Sequence, residues 1–138
     1  MTRTAFAHVG LNCRNIKATE AFYARHFGFR RVRTVPLGDG AEIVFLRAGD
    51  VRLELFQAAG DGRPVERDGP PEAGFRHLAF AVDDLEATLR EIGADAVVTL
   101  GPAHFDAVIP GWAGAWLRDP DGRIVEIAQG YRDEEDKA

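Results

Sequence analysis

Short apolar stretches alternate with polar turns along the chain, and the first stretch of each half has the composition of a strand. Residues 5–12 and 75–82 are apolar and rich in aromatic and branched side chains, which favour β-structure. Successive side chains of a strand point to opposite faces, so His8 and His77 each lie on the less apolar face of their stretch. The pattern predicts two strands that each present one histidine away from the apolar side.

A helix is predicted after each of these strands. In the first half, Asn15 is a suitable N-cap for a helix that ends before Gly28, because Asn accepts from free amides at a helix start and Gly adopts the left-handed conformation at its end. In the second half, Asp83 and Glu86 form a capping-box pattern before a helix that ends at Gly93. Both halves are therefore predicted to begin with a strand and a helix.

Three more strands are predicted after each helix. They are separated by turns such as Asp119-Pro120-Asp121-Gly122, whose composition favours a tight reversal. The predicted strands are residues 30–35, 41–47 and 51–57 in the first half, and residues 97–100, 113–118 and 123–128 in the second half. The fold class is therefore α+β, built from a βαβββ module that occurs twice.

The segments between and after the modules have an irregular composition. Residues 58–74 are rich in Gly, Pro and charge and are predicted to form a linker, residues 101–111 a second irregular stretch, and residues 131–138 a charged tail. The predicted organisation is a first module at residues 1–57 and a second at residues 75–130, which together form one domain.

The two halves repeat their ionisable residues as well as their predicted elements. Each half begins with a histidine and closes on a glutamate inside an apolar strand, His8 with Glu54 and His77 with Glu126, and the histidines are offset by 69 residues (77 − 8). One such side chain alone would be interpreted as structural, but four in register favour a ligand set. The repeat predicts two half-sites that share one metal ion.

Imidazole nitrogen and carboxylate oxygen ligands suit a divalent Zn, Ni, Co, Fe or Mn ion. A thiolate site is excluded because Cys13 is the only cysteine. Four protein ligands would leave two positions on a six-coordinate ion for a substrate with adjacent oxygens, and coordination of a carbonyl makes the neighbouring C–H group acidic. A glutamate near that carbon would act as general base. The predicted chemistry is therefore proton transfer beside a carbonyl.

Composition narrows the classes of partner. The chain has 138 residues, 46% of them hydrophobic, with a formal net charge of −5 and a pI of about 5.3, so neither nucleic acid nor an anionic membrane surface is an expected partner. A lone cysteine excludes an intramolecular disulfide, and the chain shows neither a secretion signal nor an apolar run of about 18 residues that could span a membrane. A soluble, cytoplasmic protein is expected.

Several motifs together resemble the vicinal oxygen chelate superfamily, the group of glyoxalases, bleomycin-resistance proteins and extradiol dioxygenases. They are the duplicated module, the His-hydrophobic-Gly/Ala opening, Ala21-Phe22-Tyr23 with Phe27-Gly28-Phe29, and Asp119-Pro120-Asp121-Gly122 followed by Glu126. The resemblance covers residues 4–130. It implies curled mixed sheets around a shared cleft that holds a metal, and a homodimer in which modules of two chains often pair.

The resemblance extends to the ligand positions. His8, Glu54, His77 and Glu126 match the four metal positions of glyoxalase I, in which a metal-bound Glu exchanges the substrate proton. Glu54 and Glu126 are therefore the candidate bases, and the sequence does not choose between them. Methylmalonyl-CoA epimerases usually carry Gln at the position of Glu54, and extradiol dioxygenases use two His and one carboxylate. The ligand set favours a lyase or isomerase.

The chain departs from the glutathione-using glyoxalases beside both ligands of the first half. Those enzymes place Arg four residues after the first ligand and Asn four residues after the second, where this chain has Asn12 and Ala58. A neutral Asn cannot replace a bidentate, charge-assisted grip on a carboxylate. Asn12 is therefore a candidate substrate contact, and a substrate other than the glutathione hemithioacetal is expected.

Aromatic residues provide the remaining candidates for substrate binding. An apolar ligand pocket could be lined by Phe56, Phe105, Trp112 and Trp116, although aromatics near strand ends also serve as core or interface. The leading prediction is a metal-dependent lyase or isomerase. The alternatives are a bleomycin-resistance-type protein that sequesters an aromatic natural product, an epimerase, and an Fe(II) extradiol dioxygenase.

Overall fold

Each half of the chain folds in the order strand, helix, strand, strand, strand. The computed structural model describes residues 2–63 and 65–134, and the chain divides into two compact units, Met1–Arg63 and Pro64–Ala138. Each unit contains one four-stranded mixed sheet, so the predicted α+β class and the duplicated βαβββ order are confirmed. Residues 135–138, the end of the predicted charged tail, lie outside the described residues.

The first unit pairs its first strand with its last. Its strand order is β1-β4-β3-β2, with β1 parallel to β4 and the other neighbours antiparallel. The elements are β1 (Val9–Cys13), α1 (Ile16–Phe27), β2 (Arg30–Gly38), β3 (Ala41–Ala48) and β4 (Val51–Gln57). The parallel pair requires a crossover, and α1 lies within it.

The second unit repeats this arrangement. Its strand order is β5-β8-β7-β6, with β5 parallel to β8. The elements are β5 (Leu78–Ala81), α2 (Leu85–Ile92), a 3-10 turn (Gly93–Asp95), β6 (Val97–His104), β7 (Ala113–Arg118) and β8 (Ile124–Gln129). Among the described residues, no helix is long and apolar enough to cross a membrane.

One face of each sheet forms the core of its unit. On β4, Leu53 and Leu55 are almost fully buried, while Glu54 between them is partly exposed. The helix α1 contacts β3 and β4, and burial of each leucine contributes roughly 1.5–3 kcal/mol. On β8, Val125 and Ile127 are buried around a partly exposed Glu126 in the same way. The side-chain alternation of a strand therefore places both glutamates away from the core.

The first, fifth and sixth strands differ from their predicted bounds. The predicted strands at residues 5–12 and 75–82 are too long, because His8 and His77 each lie one residue before β1 and β5. The predicted irregular stretch at residues 101–111 is also wrong in its first part, because β6 continues to His104 opposite Ala113. A register shift between Leu100 and Ala103 lets the strand continue past Pro102, which has no amide hydrogen for the ladder.

The helix caps confirm one sequence prediction and correct another. Asn15 accepts from Ala18 N at 3.1 Å, and Gly28 ends α1 with a φ of 71°. In the second unit the N-cap is Asp84, whose side chain accepts from Ala87 N at 2.9 Å. The prediction of Asp83 with Glu86 as a capping box was therefore wrong by one residue, because the amide that needs a partner belongs to residue 87.

This correction predicts unequal effects at two adjacent aspartates. Asp84→Ala should lower the free energy of unfolding by about 1 kcal/mol, because the amide of Ala87 loses its acceptor. Asp83→Ala, the matched control, should change it by less than about 0.5 kcal/mol because the exposed Asp83 does not cap the helix. Urea unfolding of the two variants measures the difference, and equal losses would contradict the cap assignment.

An ion pair joins α1 to β2. Arg31 donates to both carboxylate oxygens of Glu20, from Nε at 2.7 Å and from NH2 at 2.5 Å. This bidentate hydrogen bond lowers the pKa of Glu20 below its ordinary value of 4.5. A carboxyl whose folded pKa is lowered stabilises the fold above its ordinary pKa, and that stabilisation is lost as pH falls through the folded pKa.

The ion pair therefore predicts a pH-dependent loss of stability. Glu20→Gln should lower the free energy of unfolding by up to about 1 kcal/mol at pH 7, since the pair is partly exposed. The difference from the wild type should shrink as pH falls below 4.5. Glu42→Gln is the matched control, because Glu42 reaches Arg31 only at 4.0 Å. A difference that is constant between pH 7 and pH 3 would contradict the assignment.

Candidate functional site

The first half-site is formed by His8 and Glu54. Parallel pairing of β1 with β4 places Gly10 opposite Glu54, and His8 precedes Gly10 by two residues on the same face. The imidazole Nε2 lies 3.3 Å from Oε1 of Glu54, with 39% of the His8 side chain exposed and 18% of the Glu54 side chain. A Cβ atom on Gly10 would lie 4.0 Å from this oxygen and 3.5 Å from the Phe56 ring. These are ordinary contact distances, so glycine leaves a gap of about one methyl group beside the carboxylate.

The second half-site has the same construction. Parallel pairing of β5 with β8 places Ala79 opposite Glu126, and His77 precedes Ala79 by two residues. The imidazole Nε2 lies 3.2 Å from Oε1 of Glu126. The repeat in the sequence therefore corresponds to a repeat of side-chain geometry within each unit.

Both pairs fit adjacent positions on one metal ion. With metal–nitrogen and metal–oxygen distances of about 2.0–2.2 Å, two donors lie about 2.8–3.1 Å apart at neighbouring octahedral positions and about 3.3–3.6 Å apart at tetrahedral positions, which gives a range of about 2.8–3.6 Å. The observed separations of 3.3 Å and 3.2 Å fall in this range. Within residues 2–63 and 65–134, however, the structure forms no group of three or more His, Cys, Asp or Glu side chains that could hold a metal. Each unit by itself provides two donors.

Asp68 is a functional candidate that the sequence reasoning missed. Its Oδ1 lies 2.5 Å from Nδ1 of His77, the ring nitrogen opposite the one that faces Glu126, and its Oδ2 accepts from Nε of Arg76 at 3.0 Å. Burial raises the pKa of Asp68, but the hydrogen bonds from His77 and Arg76 outweigh it and hold the pKa below its ordinary value of 3.8. The first half of the chain has no residue equivalent to Asp68. The repeat that indicated the candidate ligands therefore could not indicate Asp68.

The predicted substrate contacts of the first unit lie beside its half-site. Asn12 and Phe56 face each other across the pairing of β1 and β4, two residues beyond Gly10 and Glu54 and therefore on the same face. The sequence reasoning missed Phe45, which pairs with Glu54 across β3 and β4 and places its ring edge-on to His8 with centroids 5.9 Å apart. The face that carries the half-site is therefore partly aromatic.

The predicted aromatic contacts of the second unit form a cluster. Phe105 lies with its ring centroid 4.8 Å from that of Trp112 and 6.2 Å from that of Trp116, and Tyr131 joins the cluster 6.0 Å from Trp112. Trp116 pairs with Glu126 across β7 and β8, the position that Phe45 has in the first unit. The sequence did not reveal this equivalence, because the turn before β8 is longer than the turn before β4.

Trp116 has an unusual environment within this cluster. Only 8% of the residue is exposed, and its indole Nε1 is a buried donor without a hydrogen-bond acceptor in the described part of the chain. Such an unsatisfied donor costs roughly 1–3 kcal/mol. The cross-strand neighbour of Glu126 is thus an aromatic side chain whose N–H group has no acceptor among the described residues.

Comparisons with known proteins identify sequences and structures that are similar to this chain. The chain is 30% identical over 123 residues to the uncharacterised protein YwkD of Bacillus subtilis (strain 168), covering 87% of this chain and 92% of YwkD. The solved structure of SMU.1112c, at 30% identity, matches with a TM-score of 0.69 over 92% of this chain and 99% of that chain.

Two more distant structures share the fold. The fosfomycin resistance protein FosX of Listeria monocytogenes, solved with Mn(II) and a sulfate ion, matches at 14% identity with a TM-score of 0.68, covering 99% of this chain and 100% of that chain. TnmS3, an antibiotic binding protein from Streptomyces sp. CB03234, matches at 19% identity with a TM-score of 0.67, covering 95% and 99%.

The family assignment rests on the extent of the match to a family model. Residues 5–127, which include β1 to β7, most of β8 and both His–Glu pairs, match the model of one superfamily. The two βαβββ units have the vicinal oxygen chelate fold of the FosX structures. The chain belongs to the glyoxalase, bleomycin resistance protein and dioxygenase superfamily.

Proposed function

We propose that this protein is a metal-dependent lyase or isomerase of the glyoxalase I type, which moves a proton beside a carbonyl in a small substrate with two adjacent oxygens. The observation that carries the proposal is the duplicated His–Glu pair. Each pair stands at the same strand positions of its unit, with donor separations of 3.3 Å and 3.2 Å. A structural role for one pair would not require the same geometry in the other.

The proposed ligand set is His8, Glu54, His77 and Glu126, holding one divalent ion. Two donors are too few for a specific site, so both half-sites are needed, either from one chain or from two copies in a homodimer. Ni, Zn, Co, Mn and Fe all suit these ligands, and the Mn(II) in the structure of Listeria FosX supports a divalent ion in this fold. The bound ion would supply polarisation of the substrate oxygens.

Glu54 is the proposed base. It takes the proton from the carbon beside the carbonyl and returns it to the neighbouring atom. A carboxylate that changes partners needs room, and Gly10 leaves space next to Oε1 of Glu54. Glu126 lies between Ala79 and the indole of Trp116, whereas Glu54 lies between Gly10 and the smaller ring of Phe45, so Glu126 has larger neighbours on both sides. Glu126 is therefore the more suitable permanent ligand.

The substrate is proposed to be something other than the glutathione hemithioacetal. Asn12 lies two residues beyond Gly10, the partner of Glu54. There its neutral amide can donate to or accept from a polar group but cannot form a bidentate ion pair with a carboxylate. Phe56 offers an apolar contact opposite Asn12. A thiol adduct of another kind, an acyl thioester or a natural product fits these contacts.

A binding protein without turnover is the second candidate. The aromatic cluster of Phe105, Trp112, Trp116 and Tyr131 favours it, since Trp116 adds a buried, unused N–H donor next to Glu126. This combination suits a planar ligand that carries a polar group. TnmS3, which shares the fold, is an antibiotic binding protein. An epimerase would usually carry Gln at the position of Glu54, and an Fe(II) dioxygenase would need only the two histidines and one of the two carboxylates.

The first prediction of the proposal concerns metal content. Protein purified without a chelator or a metal-affinity tag should contain about one divalent ion per site by elemental analysis. His8→Ala and His77→Ala should each weaken metal binding at least about tenfold because each removes a donor. The matched control is His26→Gln, since His26 lies on α1 and packs against Phe22.

Absence of any metal, even after reconstitution, would contradict the enzymatic proposal. A sequestering protein would then be supported if an aromatic ligand quenched tryptophan fluorescence equally with and without metal. Iron that survives Glu54→Gln, together with oxygen consumption on catechols, would instead support a dioxygenase.

The second prediction concerns the base. Hemithioacetals formed from methylglyoxal and a panel of small thiols should exchange the transferred hydrogen with deuterium from solvent. Glu54→Gln should reduce that exchange at least about a hundredfold because the proton acceptor is lost. Mass spectrometry of the product measures the exchange, and metal content of the variant serves as the control. Loss of exchange in Glu126→Gln but not in Glu54→Gln would show that the two roles are reversed.

A further inference from the structure

The two half-sites differ in how their histidines are held. In the second unit, Nδ1 of His77 lies 2.5 Å from Oδ1 of Asp68, and only 5% of the Asp68 side chain is exposed. In the first unit, His8 is 39% exposed and contacts Glu54 through Nε2 and Phe45 through its ring. Within the described residues of that unit, no carboxylate lies against Nδ1 of His8. The two pairs thus have the same donor atoms, but among the described residues only the histidine of the second pair has a carboxylate against its Nδ1.

Asp68 itself is held in place by two arginines. Arg118 on β7 donates to the carbonyl oxygens of Val65 and Glu66, each at 2.5 Å, and so ties the chain before Asp68 to the sheet. Arg76 donates to the other Asp68 oxygen at 3.0 Å.

The glycine after Asp68 is needed for this packing. Gly69 has a φ of 90°, and a Cβ atom there would lie 2.6 Å from the Arg76 guanidinium. Side chains disfavour this conformation, and any residue other than glycine would also make the Arg76 guanidinium move away from its place beside Asp68. Residues 65–69 therefore form an anchored segment that presents a carboxylate to His77.

This arrangement determines which ring nitrogen of His77 can bind a metal. Both ring nitrogens face a carboxylate, which can only accept, but Nδ1 lies at a short hydrogen-bond distance of 2.5 Å from Asp68 whereas Nε2 lies 3.2 Å from Glu126. The proton of a neutral His77 ring is therefore best placed on Nδ1, and Nε2 keeps its lone pair. That lone pair faces Oε1 of Glu126 at 3.2 Å. Two acceptors at this distance repel each other unless they share a cation. The hydrogen bond therefore holds the ring in the tautomer that a metal ligand needs.

We propose that Asp68 is a positioning residue that fixes the tautomer and orientation of His77, and thereby makes the second half-site the pre-organised part of the metal site. This inference rests on the proposed function. A ligand that is already oriented loses less conformational freedom on binding than a mobile one. His77 should therefore contribute more to metal affinity than the more exposed and less supported His8.

Metal affinity tests this role directly. Titration calorimetry with Mn²⁺ should show that Asp68→Ala weakens binding about 10- to 100-fold, the usual effect of removing a carboxylate behind a histidine ligand. Asp68→Asn should lose less, because its amide oxygen still accepts from Nδ1. The matched control is Asp61→Ala, because Asp61 is 86% exposed and pairs with Arg14 in the other unit. Wild-type affinity in Asp68→Ala, with an unchanged unfolding midpoint, would overturn the inference.

A double-mutant cycle separates positioning from a general structural role. In a protein that already carries His77→Ala, the further change Asp68→Ala should alter metal affinity by less than about twofold, because the residue through which Asp68 acts is gone. If Asp68→Ala weakens binding by the same factor with and without His77, the carboxylate acts through the fold, and the inference is wrong.

A measurement on the metal-free protein keeps the inference separate from the proposed function. Two-bond ¹H–¹⁵N correlations should show His77 as the Nδ1–H tautomer in the wild type and as a mixture with the Nε2–H tautomer in Asp68→Asn and Asp68→Ala. An Nε2–H ring in the wild type would overturn the inference. Failure of Mn²⁺ or any other ion to bind would refute the proposed function instead, and the tautomer would still show whether Asp68 orients His77.

Discussion

The parallel pairing of the first strand with the last strand of each unit is the constraint on which the site depends. His8 and Glu54 are far apart in the sequence, and only the pairing of β1 with β4 brings their donor atoms to 3.3 Å. The pairing of β5 with β8 does the same for His77 and Glu126. A slip of one residue in either register would turn the glutamate or the histidine to the other face of the sheet.

The helix of each unit determines which face is free for chemistry. Because α1 contacts β3 and β4, the apolar positions around Glu54 are buried and the carboxylate is directed to the opposite face. A carboxylate in the apolar core would be too costly to keep charged. The alternation of side chains along β4 and β8 thus buries the apolar positions in the core and leaves both glutamates on the opposite face.

The two units share this strand pairing but differ in the residues around it. Phe45 stands beside Glu54, whereas Trp116 stands beside Glu126 within an aromatic cluster. His77 has a buried carboxylate behind it, and His8 has an edge-on phenyl ring. The two His–Glu pairs therefore share their donor atoms but differ in the side chains that surround them.

The sequence by itself determined the fold class, most strand positions and the His–Glu repeat, because these follow from local periodicity and from a duplication that can be read along the chain. The capping-box pattern placed the cap of α2 one residue early, at Asp83. The 69-residue offset between the halves aligns Asp84, the observed cap, with Asn15. Only the tertiary structure decided that Asp68 supports His77 and that Trp116 corresponds to Phe45. Those relations come from packing between distant segments and from strand register across turns of unequal length, and no local pattern encodes either of them.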